Sequence, residues 1–79
     1  MTADEVLARV QAMLEDDFAI TRAVDRDTHL RVDLGLDSLA LTDLAFLVKQ
    51  DFALADIGPD AFRGVTTVGL LVDMIVQHG

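Results

Sequence analysis

Asp33-Leu34-Gly35-Leu36-Asp37-Ser38-Leu39 reads as a turn that ends in a serine, and an apolar run continues from it to Phe52. Gly35 allows a positive φ or a close approach that a β-carbon would obstruct. Asp37 suits an N-cap, which puts Ser38 in the first turn of a helix over about Ser38–Asp51. A helix start presents unpaired N–H groups and the positive end of the dipole, so a phosphate esterified to Ser38 would lie in a favourable field. At about 100° per residue, Leu41, Leu44, Ala45, Val48 and Phe52 form a stripe wide enough to face a core. Leu39 and Phe46 fall on the opposite side with Thr42, Asp43 and Gln50, and Leu47 lies on its flank. Apolar groups rimmed by polar ones suggest an interaction surface. The competing account is that the preceding loop folds over Leu39 and Phe46.

That loop runs from Asp16 to Asp37, with spaced apolar residues Phe18, Ile20, Val24, Leu30, Val32, Leu34 and Leu36. Connections beyond about 12–15 residues are uncommon and tend to be functional. The Leu30-Val32-Leu34-Leu36 alternation fits a strand, but no partner run exists elsewhere and a lone strand leaves its backbone unpaired. These four residues are expected instead to pin the loop over the bundle. Before it, Thr2 and Glu5 form a capping-box pattern opening a helix from Ala3 to about Glu15. Val6, Leu7, Val10, Met13 and Leu14 share one face of this helix, and Glu5 and Arg9 are spaced for an i,i+4 ion pair.

After the second helix, Asp56, Gly58, Pro59 and Gly64 are turn residues, and a short helical turn is predicted from Pro59 to about Phe62, with Phe62 inward. A last helix starts at an N-cap, Thr66 or Thr67, and runs to about Gln77 with Val68, Leu71, Val72 and Ile75 on one face. Gly69 inside it costs about 1 kcal/mol relative to Ala, and nothing in the sequence accounts for it. Gly79 suits a position just past a helix end. The fold expected is all-α: one domain over 1–79, a small four-helix bundle of three longer helices and one short, with a long loop between the first two.

Composition narrows the function. The chain has 79 residues, 52% of them hydrophobic, with four Phe as the only aromatic residues. A core of aliphatic side chains suits packed helices, and the domain is near the lower size limit for one core. Without cysteine there is no disulfide framework or thiolate metal site, and a cytoplasmic location is the default. The net charge of −8 argues against nucleic acid and for basic protein partners. No run approaches the ~20 apolar residues of a membrane span, and no signal-peptide pattern is present. A soluble, unprocessed monomer is expected. With Met1 directly before the first cap and the last helix close to the C-terminus, a free-standing domain is expected too.

A serine needs a base within reach to act as a nucleophile. The only histidines are His29 and His78, G-x-S-x-G is absent, and no oxyanion loop is apparent; the chain is not expected to be an enzyme. Asp25, Asp27, Asp33 and Asp37 invite a metal reading. The EF-hand spacing fails from Asp25, because His29 stands at the fifth position, Leu30 replaces the glycine and Leu36 the closing glutamate. No metal is expected.

Leu34-Gly35-Leu36-Asp37-Ser38-Leu39 resembles the phosphopantetheine attachment motif of acyl carrier proteins. Asp27-Thr28-His29-Leu30 and Asp33-Leu34 before it, and Phe52 and Thr66-Thr67-Val68 after it, resemble further parts of that family, so the likeness spans nearly the whole chain. The resemblance implies a covalent 4'-phosphopantetheine on Ser38, installed by a phosphopantetheinyl transferase, with Asp37 as part of the motif. Acyl groups would ride on the arm as thioesters, delivered to acyl-loading and acyl-transfer or condensing enzymes. It also implies that Leu39, Asp43, Phe46 and Leu47 are what such partners read. Lys49 and Gln50 stand where fatty acid synthesis carriers tend to have glutamates, which favours a specialised, polyketide-like pathway over fatty acid biosynthesis. Peptidyl carriers usually show G-G-[HD]-S-L here, so an acyl cargo is preferred to an aminoacyl one. The rival from another class is an unmodified helical interaction module using Leu39 and Phe46.

Overall fold

Helix α1 (Ala3–Phe18) opens at Thr2, whose extended backbone and Oγ1 accepting the Glu5 N–H at 3.2 Å make it the N-cap. The Glu5 carboxylate returns to the Thr2 hydroxyl at 3.0 Å. In this computed structural model, which describes residues 2–54 and 59–78 (Pro59 and Asp60 by backbone only), α1 runs three residues past its expected end. Phe18, one turn beyond Leu14, still packs against the core. Ala19 then closes the helix in the left-handed region, at φ 55°. The last turn holds Glu15, Asp16 and Asp17 and no basic residue. These carboxylates sit at the negative end of the helix dipole, a placement that works against the helix.

Helix α2 (Ser38–Asp51) has the predicted bounds. Leu44 and Val48 are buried, and Leu41, Ala45 and Phe52 are half-buried, so the predicted stripe faces inward. Helix α3 (Val68–His78) has Thr67 as its N-cap, with Oγ1 accepting the Leu70 N–H at 3.2 Å. Its inner face, led by Val68, Leu71, Val72 and Ile75, packs along α1. Among the described residues there is no strand. Where a short helix was predicted, Pro59–Phe62 forms a single 3-10 turn, with Phe62 half-buried against the core. Asp56, Gly58 and Gly79 lie outside the described residues.

The expected Glu5–Arg9 pair does not form. Arg9 reaches across to the end of α2, where Nη2 donates to Asp51 Oδ2 at 2.7 Å and to the Asp51 carbonyl at 3.1 Å. Its guanidinium also lies 4.4 Å from the centroid of the Phe52 ring. A carboxylate, a helix-terminal carbonyl and an aromatic face together outweigh one exposed i,i+4 partner.

The long loop is anchored to the start of α3. Leu30 N–H donates to Thr66 O, Val68 N–H to Thr28 O and Gly69 N–H to Arg26 O, each at 2.9 Å, and His29 and Thr67 form an isolated antiparallel bridge. Loop carbonyls thus satisfy two of the N–H groups that a helix start leaves unpaired. This contact explains Gly69: a β-carbon there would lie 2.8 Å from the Arg26 carbonyl oxygen and 3.0 Å from Arg26 Cβ. Gly69→Ala is therefore expected to destabilise the fold by about 1–3 kcal/mol, as overpacking does, although alanine is the better helix former. A urea midpoint at or above that of the parent chain would contradict this. Arg26 Nη2 also reaches both Asp73 carboxylate oxygens at 2.8 Å. That hydrogen bond and the Asp73 charge push the guanidinium further above its ordinary pKa, so it stays charged at any ordinary pH.

Candidate functional site

The loop reaches the serine through a wound turn rather than an extended run. Asp33 and Leu34 N–H groups donate to His29 O at 3.0 and 3.2 Å, and Gly35 N–H to Arg31 O at 2.9 Å. Gly35 ends this turn at φ +71°, the left-handed closure that glycine adopts without penalty. Leu36 N–H then returns to Leu30 O at 3.2 Å, and the buried Leu36 side chain pins the chain just before Asp37.

Asp37 is the N-cap of α2, extended at ψ −178°, with Oδ1 accepting the Ala40 N–H at 2.8 Å. Its carbonyl accepts the Leu41 N–H at 2.9 Å. The Ser38 and Leu39 N–H groups are left without a bond among the described residues. Ser38 is exposed, and its carbonyl accepts the Thr42 hydroxyl at 2.9 Å. The serine thus stands exposed on the first turn of a helix, at the positive end of the dipole.

Among the described residues no base bonds that hydroxyl, and polar groups of the preceding loop are committed within the loop. His29 Nδ1 accepts the Arg31 and Val32 N–H groups at 3.2 and 3.1 Å. Asp33 Oδ2 accepts the His29 N–H at 2.7 Å, and Asp25 Oδ1 accepts the Asp27 N–H at 2.9 Å and the Thr28 hydroxyl at 3.1 Å. Three of the four aspartates that suggested a metal site, Asp25, Asp33 and Asp37, hold turns and a cap. No group of three or more ligating side chains converges among the described residues.

Leu39 is 73% exposed and Phe46 65%, so the loop does not cover them. Asp43 and Gln50 are exposed as well. Leu47 differs: it is half-buried against the core and lines a groove toward α1. Val32, 79% exposed, was missed. The alternation from Leu30 implied a shared inward face, but in a wound turn side chains two apart do not share one. Also unread in the sequence is an apolar cavity of about 50 Å³ bounded by Leu30, Leu41, Leu44, Phe62, Val65 and Leu71. It draws on four separate segments, so no local pattern announces it.

Among the described residues no helix is long and apolar enough to cross a membrane. A family profile described as "Phosphopantetheine attachment site" matches residues 8–75. Acyl carrier protein 2 of Ralstonia nicotianae is 36% identical over 76 residues, covering 95% of this chain and 93% of that protein. The acyl carrier protein of Cyanidioschyzon merolae is 30% identical over 79 residues, covering 99% and 86%. That of Prochlorococcus marinus is 29% identical over 76 residues, covering 95% and 94%. With the profile spanning most of its length and these relatives matching end to end, the chain belongs to the acyl carrier proteins, a family of carriers rather than enzymes that bear covalent 4'-phosphopantetheine.

Proposed function

We propose that Ser38 is the attachment residue and that the chain presents acyl intermediates to partner enzymes of a specialised, polyketide-like pathway. One observation carries this reading: an exposed serine at the start of α2, beside two unbonded N–H groups and after a glycine in the left-handed region. These residues suit a phosphodiester. The site is open, and the helix terminus favours an anion. When bound, the arm supplies a terminal thiol that holds the acyl group as a thioester, and the tether raises its effective concentration at each partner. Asp37 fixes the first turn of α2 and so the direction in which Ser38 points.

Leu39 and Phe46 act as apolar anchors, with Asp43 beside them for a basic partner and Leu47 contributing from the flank. Lys49 and Gln50 dilute the acidity of this face, which supports the specialised pathway over fatty acid biosynthesis. The apolar cavity supports an acyl cargo over a polar aminoacyl one. It is about a third of the ~150 Å³ engineered cavity that admits benzene, so it suits a short segment. Partners are a phosphopantetheinyl transferase and acyl-loading and acyl-transfer or condensing enzymes. The 3-10 turn takes the place of the short member of a four-helix bundle, and the chain acts as one monomeric domain in the cytoplasm.

The test is intact mass after co-expression with a broad-specificity phosphopantetheinyl transferase. A gain of one phosphopantetheine is expected, and an unmodified chain would favour the helical interaction module. On the partner face, Phe46→Asp is expected to slow transfer to a cognate enzyme about 30-fold, the loss of one interface anchor. Its thermal unfolding should match the parent, and a collapse in stability would make Phe46 a core residue instead.

A further inference from the structure

A groove runs between α1 and α2, along the flank of the face that bears Leu39 and Phe46. Met13 and Leu47 give it an apolar floor, and Asp16, Asp17 and Asp51 stand along its rim. Its α1 wall follows positions 9, 12, 13, 16 and 17, a helical face about 12 Å long at 1.5 Å per residue. The rim is not neutralised evenly. Asp51 is paired with Arg9, whereas among the described residues no cation pairs with Asp16 or Asp17. Both sit in a last turn that lacks a basic residue, so the helix dipole opposes them. Among the described residues nothing uses these charges. Cations from outside would relieve the opposition and an apolar stripe between them would cover the floor.

We propose that this groove docks a basic amphipathic helix of a partner protein, its apolar side chains on Met13 and Leu47 and its Lys or Arg heads at Asp16 and Asp17. The charge pattern selects a cationic occupant, and a groove between two helices accepts a third through anchors at i, i+3 and i+4. The surface is separate from the serine, so docking is independent of the arm and measurable on the unmodified chain.

The experiment is an NMR titration of the full-length chain with a synthetic amphipathic peptide of leucine and lysine. Amide shifts are expected to centre on Met13, Asp17 and Leu47. Asp16→Asn/Asp17→Asn is expected to weaken binding about five-fold, the worth of two exposed ion pairs, while raising the melting temperature. Asp4→Asn/Asp27→Asn removes the same charge elsewhere and is expected to weaken binding less than about two-fold. Ala12→Arg, which fills the groove from within, is expected to displace the shifts. Equal weakening by both double variants, shifts centred on Leu39 and Phe46, or no binding would each overturn the proposal. So would a gain in melting temperature for Asp16→Asn/Asp17→Asn with peptide affinity unchanged.

Discussion

Ser38→Ala is expected to abolish phosphopantetheinylation completely while leaving the free energy of unfolding within about 0.5 kcal/mol of the parent. The two effects separate because the hydroxyl has no part in the fold. The cap on α2 belongs to Asp37, whose carboxylate holds the Ala40 N–H at 2.8 Å, and the serine's backbone carbonyl, which receives the Thr42 hydroxyl, survives the substitution. Alanine is also the better helix former at an exposed position. Intact mass after exposure to transferase and coenzyme A reads the first effect, and urea denaturation of the two unmodified proteins reads the second. A modified mass in the variant would move the attachment to another residue. A markedly lower midpoint at unchanged slope would mean that the hydroxyl is structural.

Leu30→Ala is expected to do the reverse, removing about 2–5 kcal/mol of stability from a domain whose total lies near the low end of the usual 5–15 kcal/mol. Leu30 is 2% exposed and already borders the apolar cavity, so truncation enlarges a void that the surroundings have not closed. Its backbone joins two parts of the molecule, donating to Thr66 O and accepting from Leu36 N–H. Loosening it therefore frees both the turn before Gly35 and the contact with α3. Circular dichroism is expected to show a melting temperature far below that of the parent. A loss under about 1 kcal/mol would show that the site collapses around the smaller side chain.

The helices were legible because their signals are local. Asp37 before an apolar run fixed the bounds of α2, and the stripe from Leu41 to Phe52 faces inward as its spacing requires. The exposure of Leu39 and Phe46 followed from the same periodicity. What could not be read depends on where distant segments meet. Gly69 was inexplicable inside α3 until the Arg26 carbonyl appeared against it, 43 positions earlier in the chain. Arg9 was assigned to Glu5, its neighbour in sequence, when its partner lies 42 residues away. The winding of His29–Leu34 escaped because a loop pinned by all four alternating apolar residues was expected, and with it went the outward placement of Val32. The candidate site was the easiest part to read, since cap, glycine and serine lie within four residues.

The junction of Arg26, Thr28 and Leu30 with residues 66–69 bears on biosynthesis. A chain still emerging from the ribosome, with its C-terminal third unmade, lacks the docking place that holds the loop before Ser38. Long-separation contacts of this kind form late. The loop that leads into Ser38 accordingly gains its finished surroundings only after translation has passed position 69.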